Sequence, residues 1–315
     1  MDNPMSIKNV IPAVFVSDEN YAKYLGVTIL SVLEDASPDY HYHIHIFDCG
    51  MKENSLRLLK KQCAVFMQST NPARQIELHI HDAKQYIRQH RDRLYTRLYF
   101  TEAVYIRLFI SDILTQYDKL LYLDCDLIVQ GDISTLFETP MADYVISGVL
   151  DQGMAYHRKH TPKFTNYCEQ TLGLTQQQGY INSGVLLINS ALWRQQQCTQ
   201  LCLDALGKLS EPLYPDQDVL NMVFKGAINY LPAQWNVTRD GEPDPDVQAK
   251  VIHYTGELKP WNTPSSLWSE DWWFYARKTL FYETIIYDNT RQITRQLIRE
   301  KSLGGKLKRW FGRKG

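Results

Sequence analysis

Short apolar runs that end in polar or acidic residues alternate, over most of the chain, with stretches whose apolar residues recur at helical spacing. That alternation predicts strands leading into helices, the pattern of an α/β protein built on a largely parallel sheet. Val10 to Val16 is the first strand, Ser17-Asp-Glu-Asn20 a polar loop, and Leu25, Ile29, Val32 and Leu33 share one face of a helix from about Tyr21 to Leu33. His41 to Ile46 and Ile76 to His81 alternate with period two and read as strands, with His41, His43 and His45 on the solvent side of the first. Strand alternation accounts for both His-x-His patterns, His79 and His81 included, without a metal. Helical spacing returns over about Ser55 to Met67, Asp82 to Arg91 and Glu102 to Leu114. Tyr144 to Leu150 and Tyr180 to Asn189 are further buried strands, and Gly184 marks a point of close approach. Gln152 to Gly179 is polar and reads as a loop over the strand ends. Ser190 is expected to cap a helix running to about Leu209, and Pro215-Asp-Gln-Asp218 opens another, where a helix dipole favours Asp216 and Asp218.

Lys119-Leu-Leu-Tyr-Leu-Asp-Cys-Asp126 organises the rest. Leu120 to Leu123 is apolar without alternation, as in a strand covered on both faces, and it delivers Asp124 and Asp126 at its carboxyl end. In strand geometry the two acids share a face roughly 7 Å apart, with Cys125 turned away. Open α/β sheets bind ligands at such strand ends, and paired carboxylates there suit a hard divalent cation; a surface turn is the plainer alternative. Asp18 ends the first strand as either helix cap or ligand contact, and Asp151 ends the Tyr144–Leu150 strand. Arg107 lies among apolar residues, as a surface charge or aimed at an anion. In Val251 to Trp261, His253 closes a short strand and is followed by Gly256 and Lys259, a set that suits a metal-bound phosphate.

Composition is ordinary for a globular domain, with 44% hydrophobic and 22% charged residues. Charge is not evenly spread: Asn289 to Gly315 holds nine Lys or Arg against one acid, +8, and leaves −9 for the rest. The six cysteines form no Cys-x-x-Cys pair and fit free thiols in a reducing compartment. With no export signal and no long apolar span, a soluble cytoplasmic protein is expected, and the sequon Asn236-Val-Thr238 is read as chance.

Six stretches in order resemble the retaining glycosyltransferases of family 8, and among them bacterial lipopolysaccharide core hexosyltransferases. They are Phe15-Val-Ser-Asp-Glu-Asn-Tyr21, Tyr105-Ile-Arg-Leu-Phe109, Leu121-Tyr-Leu-Asp-Cys-Asp126, Tyr180-Ile-Asn-Ser-Gly-Val-Leu186, Tyr214-Pro-Asp-Gln-Asp218 and Ile252-His-Tyr-Thr-Gly-Glu-Leu-Lys-Pro-Trp261. The resemblance implies a GT-A fold, a doubly wound nucleotide-sugar domain over residues 1–262. It implies manganese, or magnesium in its place, on Asp124, Asp126 and His253. Asp18 and Asn20 would meet uridine, Lys259 and Gly256 the diphosphate, and Arg107, Asp151 and Asn182 the donor hexose, with Gln217 beside the anomeric carbon. The activity implied is transfer of glucose or galactose from a UDP-sugar to a lipopolysaccharide core acceptor, with an α-linkage in the product. An aspartyl-phosphate phosphatase would want its Asp-x-Asp near the N-terminus and followed by a small turn, whereas Leu127-Ile128 follows here. An idle sugar-binding adaptor would bind UDP without turnover.

Residues 263–315 are expected to form a helical extension. The aromatics from Trp261 to Tyr282 read as the seam joining it to the main domain. Ile293, Leu297, Ile298, Leu307, Trp310 and Phe311, interleaved with cations, describe a helix lying on an anionic membrane rather than a nucleic-acid arm. The expected location is the inner face of the cytoplasmic membrane.

Overall fold

A computed structural model describes residues 9–69, 75–94, 102–240, 246–263 and 265–311. Among the described residues, ten strands form two sheets. The larger contains β1 (Asn9–Ser17), β2 (Tyr40–Asp48), β3 (Gln75–Asp82), β4 (Lys119–Leu123), β6 (Ile146–Leu150), β7 (Ile181–Asn189) and β8 (Ile228–Tyr230), in the order β3-β2-β1-β4-β7-β6-β8. β7 alone runs antiparallel to its neighbours β4 and β6; the other pairs are parallel. The smaller sheet is β5 (Leu127–Val129), β10 (Val251–His253) and β9 (Val237–Thr238), with β10 in the middle.

Alternation along β1 and β4 builds a core on each face of the large sheet. Ile11, Ala13, Phe15, Leu121 and Leu123 face one layer, where helix α1 (Ala22–Glu34) and the small sheet pack. Val14, Leu120 and Tyr122 face the other, against Tyr105, Ile106, Trp193 and Leu203. β1 and β4 are adjacent, with β2 on one flank and β7 on the other, so the strand order reverses direction between them. A crevice at that switch point is where such sheets bind ligands, and Asp18 and Asp124 stand at its two lips.

The expected elements recur with four corrections. Gln152 to Gly179 is no loop: it folds into the helices Gln152–His160 and Pro162–Asn166 and a further turn at Tyr167–Thr171, with Asp151 Oδ1 accepting from Met154 N–H at 2.8 Å as the cap. Glu102 to Leu114 is a tight 3-10 turn, Glu102–Leu108, before a single α turn, Ile110–Ile113. Asn189, not Ser190, caps the next helix, and that helix breaks at Gln197, whose φ of 53° splits it into Ser190–Gln195 and Cys198–Leu206. His45 is buried rather than solvent-facing, its ring nitrogens on His81 and on the Tyr117 hydroxyl. Burial, and then the neighbouring His79 and His81, push its pKa down to about 3.

The C-terminal aromatics are part of the main core. Trp272 is fully buried, Trp261 stacks on Tyr24 with centroids 3.7 Å apart, and Phe281 and Ile285 pack in the same layer as α1. Ile285 already belongs to the last helix, which runs Tyr282–Phe311 and includes Gly304-Gly305. All six cysteines are free.

Candidate active site at the switch point

Asp124 and Asp126 lie not on the strand but in the bend where the chain leaves β4 for β5. Asp124 N–H donates to the Gly184 carbonyl of β7 at 2.8 Å, and the Asp126 carbonyl accepts from Tyr254 N–H at 2.9 Å. Thr28 of α1 holds the bend from beneath, donating to the Cys125 and Leu127 carbonyls. Because β10 pairs with β5 with His253 opposite Leu127, the same turn that presents Asp126 brings His253 to it.

Each carboxylate is divided between a protein cation and the centre of the site. Asp124 Oδ1 accepts from Arg107 Nη2 at 2.9 Å and Tyr122 Oη at 2.7 Å, while its Oδ2 lies 3.8 Å from His253 Nε2. Asp126 Oδ2 accepts from Lys259 Nζ at 2.6 Å, and its Oδ1 lies 3.2 Å from His253 Nε2. Burial alone would raise the Asp126 carboxyl, but Lys259 and then His253 override it and hold it well below the usual carboxylate range. Gly184 is the close approach its sequence position announced: a Cβ there would fall 2.2 Å from His253 Cε1 and 2.9 Å from Asp124 Oδ2.

The tautomer of His253 follows from a chain of amides that starts at a carboxylate. Asp151 can only accept, so Asn182 turns Nδ2 to Asp151 Oδ2 at 3.1 Å. Asn182 Oδ1 is then free to accept from Gly184 N–H and from Asn236 Nδ2, each at 2.9 Å. That leaves Asn236 Oδ1 facing His253 Nδ1 at 3.0 Å, and the ring must donate there. In the neutral ring that leaves Nε2 as a lone pair directed at the acid pair. Ligand atoms of Asp124, Asp126 and His253 converge within 4.8 Å of one another. Two carboxylate oxygens and a neutral imidazole are a donor set that fits a divalent cation. Replacing Asn236 with Ala should weaken Mn²⁺ binding by about 10–100-fold, read from the free-ion signal in an electron paramagnetic resonance titration. Unchanged affinity would show that the relay does not orient the ring.

Arg107 is committed to the protein. Nη1 donates to Ser183 O and Oγ, both at 2.8 Å, Nε lies 3.1 Å from Asp216 Oδ2, and the guanidinium covers the Tyr122 ring at 4.5 Å. Burial works against its charge, yet Asp124 and Asp216 outweigh burial and keep it above the usual range. It holds Asp124 Oδ1 in place and also borders the cleft. Gln217 Nε2 donates to Asp151 Oδ2 at 3.1 Å and its Oε1 accepts from Ser183 N–H at 2.9 Å, so Asp151, Asn182 and Gln217 form one polar floor. Asp218 is structural: its carboxylate accepts from Tyr180, Tyr167 and the Tyr214 amide.

Two adjoining clefts open beside the acid pair and Lys259. One, of about 400 Å³, is lined by Asp18, Asn20, Arg107, Asp124 and Asp126. The other, of about 550 Å³, is lined by Lys52, Gly256, Glu257 and Lys259, and Asn20 and Tyr21 border both. Asp18 closes the turn ahead of α1 and walls the cleft, its Oδ1 accepting from Tyr21 N–H at 3.1 Å and its Oδ2 from Asn20 at 3.3 Å. Gly256, with φ at +69°, sits in a conformation other residues rarely adopt.

Sequence reasoning missed Asn236, Tyr122 and Tyr21. Period two places Tyr122 on the same side as Asp124 and could have found it. Asn236 carried no local signal beyond a sequon, and its burial leaves no room for a glycan.

The glycosyl transferase family 8 profile spans residues 12–264. General stress protein A of Bacillus subtilis (strain 168) is 23% identical over 296 residues, 88% of this chain and 96% of that protein. Lipopolysaccharide glucosyltransferase WaaO of Escherichia coli (strain K12) is 32% identical over 203 residues, 58% of this chain, and the chain spans only 54% of that relative. The galactosyltransferase LgtC, solved in complex with donor and acceptor sugar analogues, superposes with a TM-score of 0.69 at 24% identity, over 86% of this chain and 96% of that one. The shared architecture is GT-A, a doubly wound domain with C-terminal helices. With the profile running from β1 past His253 and Lys259, the chain belongs to glycosyl transferase family 8.

Proposed function

We propose that this chain transfers a hexose, glucose or galactose, from a UDP-sugar to a lipopolysaccharide or lipooligosaccharide core acceptor, with retention of configuration. The observation that carries this reading is the meeting of Asp124, Asp126 and His253 Nε2 at the switch point, with the Lys259 ammonium against Asp126. The activities named for its relatives, a lipopolysaccharide glucosyltransferase and a galactosyltransferase, support the choice of hexose and acceptor. Bound manganese, or magnesium in its place, would neutralise the diphosphate and the charge that grows on the departing UDP.

The residues divide the remaining tasks. Asp18 and Asn20 line the cleft that would take uridine, and Lys259 with the open backbone at Gly256 would hold the diphosphate. Asp151 and Asn182 would orient the hexose, with the Gln217 carboxamide beside the anomeric carbon. A double displacement needs a free carboxylate below that carbon. Asp151 has one oxygen on two amides and the other on the Met154 N–H, and Asp216 is held by Arg107. These commitments favour front-face attack: the acceptor oxygen bonds to the anomeric carbon as the bond to phosphate breaks, and its proton passes to the leaving phosphate oxygen. Incubation with Mn²⁺, a panel of UDP-sugars and a core oligosaccharide, with proton NMR of the new linkage, tests this. An α-anomer is expected; a β-anomer, or a glycosyl ester trapped on a carboxylate, contradicts the mechanism.

Membrane attachment through the last helix is part of the same proposal. Ile286, Ile293 and Ile298 are exposed on it, and among the described residues no helix is long and apolar enough to cross a membrane. The side chains of Leu307, Trp310 and Phe311, the cations around them, and residues 312–315 lie outside the described residues. Each cation near an anionic surface contributes about 1 kcal/mol. Deleting residues 303–315 should leave hydrolysis of the UDP-sugar intact and cut co-sedimentation with anionic liposomes. Equal, salt-insensitive sedimentation of both proteins would remove the helix end as anchor.

A further inference from the structure

The far edge of the large sheet carries a second convergence of ligand atoms, on residues with no part in the catalytic cleft. β2 and β3 pair in parallel with His43 opposite Glu77 and His45 opposite His79. Glu77 Oε1 lies 3.4 Å from His41 Nε2, and Glu77 Oε2 lies 3.7 Å from His43 Nε2 and 3.4 Å from His79 Nε2. These separations are long for hydrogen bonds. The separation from His41 matches an edge of a tetrahedral coordination shell, whose ligands at about 2.0–2.1 Å from the ion stand about 3.3–3.4 Å from each other, and the 3.7 Å separation from His43 is a few tenths of an ångström wider.

Two sets of three meet within 4.8 Å, His41 with His43 and Glu77, and His43 with His45 and His79. Ring geometry separates them. An imidazole lone pair lies in the ring plane, so an ion must sit in the plane of every ring it binds. His45 and His79 are stacked, 14° from parallel with centroids 4.7 Å apart, and their planes share no nearby point. Both nitrogens of His45 are also engaged, at 2.9 Å by His81 and 3.1 Å by Tyr117. His41 and His43 stand at 89°, so their planes cross. The Tyr117 hydroxyl holds His43 Nδ1 at 2.5 Å, which leaves Nε2 for an ion and fixes the ring from behind. The side chains of His41, His43 and Glu77 are 19%, 16% and 51% exposed, open to an ion arriving from solvent.

We propose that this sheet edge binds one first-row transition-metal ion of the zinc class through His41, His43 and Glu77, with water completing the shell. Two imidazoles and one carboxylate select Zn²⁺, Co²⁺ or Ni²⁺ over Mg²⁺ and Mn²⁺, unlike the carboxylate-rich set in the cleft. The ion would clamp the edge strand β3 to β2 and stabilise the fold in proportion to free metal. Period-two alternation explains why the histidines share a face; the cross-strand register with Glu77 is what makes them a ligand set.

Zinc bound per chain, measured after equilibrium dialysis against buffered free Zn²⁺, tests the proposal. Wild type is expected to hold one equivalent more than the His41→Ala/His43→Ala double variant, and His253→Ala to keep that equivalent. Glu77→Gln, a conservative change at a half-exposed site, should lower the affinity at least tenfold while its Tm in chelator matches wild type. Zinc should raise the Tm of wild type more than that of the double variant and should still raise that of His253→Ala, and Mn²⁺-supported turnover should be unaffected by Glu77→Gln. Equal zinc content in wild type and the double variant, or equal zinc-dependent Tm shifts, would overturn it.

Discussion

Asp126→Asn is expected to abolish transfer and weaken the fold together, whereas Asp124→Asn should abolish transfer alone. Each substitution removes an anionic group from the site that would hold the diphosphate's counter-ion, and turnover should fall by about 10²–10³-fold or more. Their structural costs differ because their partners differ. Arg107 keeps Asp216 at 3.1 Å when Asp124 is neutralised. Lys259 is 8% exposed, and with Asp126 neutralised no carboxylate remains in an ion pair with it among the described residues. Leaving a buried ammonium without its anion costs about 3 kcal/mol, which lowers Tm by about 6–9 °C in a domain of this size. The pH dependence has a definite sign. The Asp126 carboxyl is held below its unfolded value, so its contribution is fully present above the ordinary carboxylate pKa of about 3.9 and is lost as the pH falls through the lower folded value. Thermal melts in chelator should therefore show a wide gap between wild type and Asp126→Asn at neutral pH that narrows under acid. As two strand-end acids, Asp124 and Asp126 look equivalent; only their partners separate them.

Gln217→Glu should cost about 10²-fold in kcat/KM at pH 8 and recover part of it as the pH is lowered. The wild-type amide donates to Asp151 Oδ2 at 3.1 Å. A glutamate in the same place turns that donor into a second acceptor, and two carboxylates at such a distance cannot both ionise cheaply. One of the pair is pushed to a raised pKa. Below that pKa the shared proton restores a donor between residues 217 and 151; above it the proton leaves, and the pair repels and distorts the floor on which Asn182 also depends. The variant's pH–rate profile should therefore gain a limb falling toward high pH that wild type lacks. A flat profile at wild-type rate would mean that the Gln217–Asp151 contact is not part of the working site.

Much of the frame was legible because it rests on local chemistry. The unbroken apolar run Leu120 to Leu123 betrays a strand buried on both faces, and the face Leu25, Ile29, Val32, Leu33 gives α1 to within a residue at either end. What escaped was set by partners distant in sequence. Arg107 could be read as surface charge or anion hook, because Asp216, Ser183 and Asp124 meet it only after folding. The helix break at Gln197 has no local cause in a residue type that seldom adopts positive φ. Gln152 to Gly179 lacks a helical period because its short helices are largely exposed, so their polar residues carry no stripe. His45 is buried by the neighbouring strand and Tyr117, which alternation along β2 alone does not reveal.

Calorimetric titration of UDP into the protein, with Mn²⁺ and with a chelator, measures the central claim most directly. UDP should bind tightly with Mn²⁺ and at least tenfold more weakly in chelator, and the metal-dependent gain should vanish in Asp124→Asn and shrink in His253→Ala. Equal UDP affinity with Mn²⁺ and with chelator in the wild-type protein would contradict the assignment of Asp124, Asp126 and His253 as the site that carries the diphosphate through a divalent cation.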